Sequence, residues 1–197
     1  MALNITITGN GFTRLSEAVR ALGERRAHTA YSRAITNTGK VAGTAAGRAL
    51  AKQTGLPAKI AGKAMKRSVT HSTPETLTYI IRLQGGDIAL KYFNPEERKK
   101  GVSARPFGRR KIFKSTFTHA GFWPVRVKKP GWNAHVFKRT GGTTKYGKDE
   151  FERQNSGVII PNEAMEGRTA AAWRATTSTL QDRIATEIRK VTKRAIT

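Results

Sequence analysis

The chain contains no cysteine. Disulfide scaffolds and cysteine-based metal sites are therefore excluded, and the redox compartment stays open. Acidic side chains are scarce: 13 Asp and Glu stand against 37 Lys and Arg, a net charge of +24 over 197 residues. Self-repulsion on that scale disfavours an isolated compact monomer and is tolerated beside a polyanion or an acidic protein surface. Nucleic acid is the commonest such partner, and an acidic partner subunit is the competing explanation. No stretch approaches the roughly eighteen apolar residues of a membrane span. The opening segment MALNITITG lacks the charged start and long apolar run of a signal peptide, so synthesis and assembly in the cytosol are expected. Only 38% of the chain is hydrophobic and much of that is Ala, which predicts a modest core that assembly with other subunits would help.

Signatures of catalysis are also missing. His28, His71, His119 and His135 are scattered, with no HExxH and no paired i, i+4 site. Gly-x-Ser-x-Gly is absent, Ser103 has no base near it in sequence, and Glu96-Glu97 reads as a turn or helix charge cluster. The segment Gly142-Thr-Thr-Lys-Tyr-Gly147-Lys148 has the glycine and lysine spacing of a phosphate-binding loop. Asp149 stands where Ser or Thr should hold magnesium, and no apolar strand feeds the segment, so a flexible basic loop is the better reading. Nothing here supports an enzyme, a cofactor or a metal.

What the chain has in abundance is positive charge, concentrated from Arg98 onward. Between Arg98 and Lys148 there are fifteen Lys or Arg and no Asp or Glu. Phe107, Phe113, Phe117, Phe122, Trp123, Trp132 and Phe137 are interleaved with them. A disordered tail would lack such residues, so the stretch is expected to fold into strands with a strongly positive surface. Two readings follow. Lys and Arg neutralise phosphates while the aromatics stack on unpaired bases. Alternatively, most of the aromatics form the core face of a sheet and the charges form its solvent or subunit face.

Around this stretch the pattern reads as an α+β domain: long N-terminal helices, a small mostly antiparallel sheet, and a long C-terminal helix. One domain is expected over residues 1–197, with 1–67 mainly helical, 68–161 basic and β-rich, and 162–197 a C-terminal helix. Residues 3–8 alternate as a strand, and a helix is expected from about Thr13 with Leu15, Val19 and Leu22 on one face. From Glu24 to about Gln53 apolar residues recur at spacings of three and four. Gly39, Gly43 and Gly47 lie along one stripe of this helix, where close packing or a kink is expected. Gly55 ends it, and Pro57 opens a short basic helix, Ala58 to Lys66, whose Lys59, Lys63, Lys66 and Arg67 read as a solvated face.

Strands are expected at Ser68 to His71, Thr76 to Leu83 and Ile88 to Tyr92, then a charged turn from Glu96 to Lys100. Further strands are expected at Val102 to Ala104, Lys111 to Phe117, Trp123 to Val127 and Ala134 to Arg139. Residues 140–157 read as an exposed loop. One continuous helix is expected from Glu166 to about Arg194, with Trp173, Leu180, Ile184, Ile188, Val191 and Ala195 as its apolar stripe.

Several short blocks, in this order, resemble the minor tail protein Z family of tailed bacteriophages and prophages. They are an Ala- and Arg-rich N-terminal helix and Gly55-Leu56-Pro57 leading to a basic helix. Lys99-Lys100-Gly101-Val102-Ser103-Ala104 comes next, then basic residues and Phe117, then Val136-Phe137-Lys138-Arg139-Thr140-Gly141. Last is Ile160-Pro161 before a C-terminal helix. The resemblance covers most of residues 12–195, with the loop Gly141 to Gln154 fitting least. It implies a structural virion protein that completes the head-proximal end of the tail at the neck, with no catalytic residues. The implied partners are other copies of itself in a ring, a hexamer by analogy with tail architecture, the tail terminator, tail tube and neck proteins, and packaged DNA. The implied location is the virion, reached through host-cell assembly. Lys99, Lys100, Arg105, Arg109, Arg110, Lys111, Lys138 and Arg139 are the candidate contacts to DNA or to an acidic subunit. A stand-alone basic nucleic-acid-binding protein is the alternative.

Overall fold

The computed structural model describes residues 2–5 and 23–195. The expected helix from Thr13, and the part of the first strand beyond Ile5, lie outside the described residues. Helix α1 (Glu24–Thr54) runs for 31 residues without a break at its glycines. It buries a small-residue face made of Ala27, Ala30, Ala34, Ala42 and Ala46, with Ile35 and Leu50 among them. Thr38 and Thr54 are buried in the same helix, and each hydroxyl donates to the carbonyl four residues back. Their polar groups are thereby satisfied inside the core. Gly55 (φ 77°) terminates α1 and donates its N–H to the Ala51 carbonyl. This is the left-handed helix end that glycine adopts without strain.

The glycine stripe is filled from within the chain. A β-carbon on Gly39 would overlap the ring of Tyr79, and one on Gly43 would lie 3.0 Å from Ile81. Gly47 faces Met65 and Gly62 of α2 (Ala58–Lys66). The stripe thus seats α1 against the strand Tyr79–Arg82 and helix α2. Lys59, Lys63 and Lys66 on α2, and Arg67 at its C-cap, are all exposed.

Among the described residues all strand pairs are antiparallel, arranged as five small sheets. β1 (Ala2–Ile5) and β2 (Val69–Thr70) flank β3 (Tyr79–Arg82), and Tyr79 and Ile81 point from β3 into the core. β4 (Asp87–Ala89) pairs with β13 (Asn155–Ile159). β5 (Glu96–Arg98), β6 (Gly101–Ala104) and β7 (Lys111–Lys114) form a third sheet in that order. β8 (Thr116–Phe117), β11 (Phe137–Thr143) and β12 (Asp149–Arg153) form a fourth, with β11 central. β9 (Ala120–Gly121) and β10 (Arg126–Val127) make a two-stranded hairpin.

Helices α3 (Ile160–Met165), α4 (Gly167–Thr177) and α5 (Leu180–Ala195) close the chain, and all three pack on α1. Trp173, Leu180, Ile184 and Ile188 are buried as the periodicity predicts.

The fold is α+β as expected, but local expectations are corrected. Ile88 to Tyr92 is strand only as far as Ala89 and then a 3-10 turn, Leu90–Tyr92. Glu96–Arg98 is strand rather than turn, because it pairs antiparallel with Gly101–Ser103 of β6. The run Lys111 to Phe117 breaks at Ser115 (φ 58°) into β7 and β8, which belong to different sheets. Residues 140–157 are mostly exposed, with Ser156 buried, but are not a loop; they carry the end of β11, all of β12 and most of β13. The C-terminal helix is interrupted at Ser178 and Thr179. There Thr176, Thr177, Ser178 and Thr179 each donate a hydroxyl to a carbonyl three or four residues back. Such side-chain bonds compete with the helical backbone ladder.

Candidate polyanion interface

The block Lys99 to Ala104 supplies the centre of the basic sheet. Gly101 (φ 139°) lies against the Phe113 carbonyl, where any β-carbon would overlap it. Val102 and Ala104 are fully buried, and Ser103 is nearly so. These residues hold β6 between its neighbours, while Lys99 and Lys100 sit exposed in the β5–β6 turn. Arg98, Lys99, Lys100, Ser103, Arg110, Lys111 and Ile112 line a shallow depression of about 630 Å³.

Acidic residues that flank the basic run in sequence fold back and neutralise chosen members of it. Glu96 accepts from Arg98 at 2.7 Å and from Arg110 at 2.9 Å. The Arg98 hydrogen bond, with help from Arg110, holds the Glu96 carboxyl below its ordinary range against a partial desolvation that opposes it. Arg110 also donates to the Ser103 hydroxyl at 3.1 Å. Asp149 accepts from Arg139 at 3.0 Å. Arg139 lies over the rings of Phe117 and Phe122, 4.9 and 5.4 Å from their centroids.

The eight candidates therefore divide. Lys99, Lys100, Arg110 and Lys111 meet in the depression, Arg110 as a tethered member. Arg105 and Arg109 are exposed on the 3-10 turn that precedes β7. That turn is seated on Gly55, whose β-carbon would lie 2.7 Å from the Arg105 carbonyl. Lys138 is exposed on a different sheet, and Arg139 is committed to Asp149 and the aromatic cluster. Among the described residues, no salt bridge involves Lys99, Lys100, Arg105, Arg109, Lys111 or Lys138.

The aromatics divide as well. Phe117 and Phe137 are buried and pack with Trp132 and Phe151, ring centroids 5.0–6.2 Å apart. Phe113 is partly buried against the main core. Phe107, Phe122 and Trp123 are exposed, so the core reading fits only part of the set. Phe122, Trp123 and Val125 form the tip between β9 and β10, where a strand had been expected from Trp123. Pro124 cannot donate to a ladder and marks the turn instead. Lys128 and Lys129 follow, both exposed.

Glu97, which its sequence context marks only as part of a charge cluster, is a structural residue. Its side chain is only 9% exposed and is paired with Arg126 and His119, while Thr118 donates to it through both N–H and hydroxyl. Burial lowers the Arg126 guanidinium from its ordinary value, and Arg139 nearby adds to this. This cluster anchors the β9–β10 hairpin. Its partners lie more than twenty residues away in sequence, so no local motif announces it.

The phosphate-loop spacing forms a hairpin tip. Thr144 donates to the Lys148 carbonyl at 2.7 Å and β12 follows where a helix would be required. Among the described residues no cluster of three or more His, Asp or Glu is placed to hold a metal ion. No helix among them is long and apolar enough to cross a membrane. No family model, curated protein or solved structure matches this chain.

Proposed function

We propose that this protein is a structural virion subunit that completes the head-proximal end of a phage tail at the neck. It would form a homomeric ring there, with the β5–β6–β7 face turned towards packaged DNA or an acidic neighbouring subunit. The observation that carries the reading is the sorting of charge. Glu96, Glu97 and Asp149 are consumed by Arg98, Arg110, Arg126 and Arg139, while Lys99, Lys100, Arg105, Arg109 and Lys111 stay exposed without a salt bridge. Unpaired cations supply a contact to a polyanion without giving sequence specificity. The order of short blocks shared with the tail protein Z family supports the tail role. Tail terminator, tail tube and neck proteins are the partners that role implies, and binding and assembly, rather than catalysis, are its work.

A stand-alone nucleic-acid-binding role is the second reading. It is favoured by the exposed Phe122 and Trp123 beside Lys128 and Lys129, a pattern suited to stacking on unpaired bases. Two measurements separate the readings. Particles from a phage with this gene disrupted are expected to show full-length tails that fail to join heads; normal infectious particles would overturn the tail role. DNA binding by the free protein is expected to be weak, and Lys99→Ala with Lys100→Ala should reduce its salt slope by about 2. Tight binding that collapses when Trp123 is replaced by Ala would favour the second reading.

A further inference from the structure

The two sheets of the basic region each end in a strand with an open edge. β7 is the outer strand of the β5–β6–β7 sheet, and β12 is the outer strand of the β8–β11–β12 sheet. An edge strand presents unpaired N–H and C=O groups, a template for another chain unless something blocks it. All five residues of β12 are exposed, and in β7 Lys111, Ile112 and Lys114 are exposed with Phe113 half-buried. Among the described residues neither strand has a partner on its outer side.

Their sequences are complementary. β7 reads Lys111-Ile112-Phe113-Lys114, and β12 begins Asp149-Glu150-Phe151-Glu152. These acids stand out in a chain that has only 13. Like charges directly opposite each other disfavour pairing of β7 with β7, and of β12 with β12 in a parallel register. Opposite charges favour β7 with β12. In a parallel register Lys111, Ile112, Phe113 and Lys114 fall beside Asp149, Glu150, Phe151 and Glu152, so Lys114 meets Glu152, the aromatics match, and Lys111 comes beside the Asp149 carboxylate that Arg139 also holds. The antiparallel register that keeps Phe113 beside Phe151 sets Lys111 against Arg153.

We infer that copies of this chain assemble head to tail by adding the β7 edge of one copy, in parallel, to the β12 edge of the next. The two edges belong to different sheets, so the contact is heterologous, the type that closes into rings or extends into filaments. The inference rests on the homomeric part of the proposed function and is independent of its tail and DNA roles.

The absence of cysteine allows a direct test. Chains carrying Lys114→Cys and chains carrying Glu152→Cys, mixed under oxidising conditions, are expected to form a disulfide-linked heterodimer. Each variant alone should not. Sedimentation of the full chain should show an assembly that the double variant Glu150→Lys, Glu152→Lys weakens by about tenfold or more. The same variant should bind DNA at least as well as the parent, because it adds positive charge. Thermal melts of these exposed-site variants check that the fold is retained. Assembly that persists in the double variant, or cross-linking no better than that of each variant alone, overturns the strand pairing and leaves a homomer built otherwise. A chain that stays monomeric at every concentration overturns the homomeric reading as well.

Discussion

Gly39 and Gly62 are both helical glycines, yet their substitution should move stability in opposite directions. A methyl group at Gly39 overlaps the buried Tyr79 ring, which has Gly39 in front of it and His71 at its side. Overpacking of this kind costs about 3 kcal/mol, and Gly39→Ala should lower the Tm by roughly 6–12 °C. At Gly62 a β-carbon meets nothing within 4 Å. Gly62→Ala should therefore raise stability by about 0.5–1 kcal/mol through helix propensity alone. Paired thermal melts check both. The spacing of glycines 39, 43 and 47 was readable in the sequence. That the stripe receives Tyr79, Ile81 and Met65 of the same chain was not, because nothing local names the partner.

Helix α1 is the element on which the others are hung, and Gln53 near its end makes two of the attachments. Its amide donates to the Glu163 carbonyl at 3.0 Å and to the Glu163 carboxylate at 2.8 Å. Its oxygen accepts from the Thr169 N–H and hydroxyl, both at 3.0 Å. One side chain from α1 thus closes the end of α3 and caps the start of α4, whose own N-cap residue, Glu166, supplies no side-chain hydrogen bond. Gly167 (φ 57°) leaves room for it; a β-carbon there would lie 3.0 Å from the Gln53 oxygen. Gln53→Ala orphans the Thr169 groups, and Thr169 is buried. A loss of about 1–3 kcal/mol is expected by denaturant titration. Amide exchange that becomes faster in α3 and α4 and is unchanged elsewhere would show that the loosening is confined to these two helices.

With a net charge of +24, the whole molecule depends on the few carboxylates it has. Acidification should destabilise it in two stages. Burial, with Lys91 and Arg153 nearby, pushes His135 below its ordinary value of 6.5. As pH falls below that value the unfolded chain takes up a proton before the folded one, so stability falls. Glu96, held below 4.5 by the Arg98 hydrogen bond and by Arg110, behaves with the same sign. Its contribution is complete above 4.5 and is lost as pH falls towards the folded value. Melts taken across the acid range should show His135→Asn flattening the first decline and Glu96→Gln flattening the second. Added salt should soften the overall loss by screening the like charges.

Much of the architecture is legible in the sequence, for a physical reason. Helix periodicity, Gly55 and Pro57 as punctuation, and the β-branched run through Tyr79 to Ile81 are local signals that act within a few residues. They placed α1 and α2 closely, the core positions of α4 and α5, and the α+β class. The strongly positive charge is likewise a property of composition. What folding alone settled is which charges remain available. Glu96, Glu97 and Asp149 reach Arg110, Arg126 and Arg139 across 14, 29 and 10 positions, as spacings in the chain show. Those pairs turn a uniform basic run into a sorted surface, with Lys99, Lys100, Arg105, Arg109 and Lys111 left open. The split of Lys111 to Phe117 into two sheets, and the open edges of β7 and β12, also depend on pairings distant in sequence. Local pattern carries the propensity of each segment, whereas charge pairing and sheet edges are set by neighbours that only the folded chain brings together.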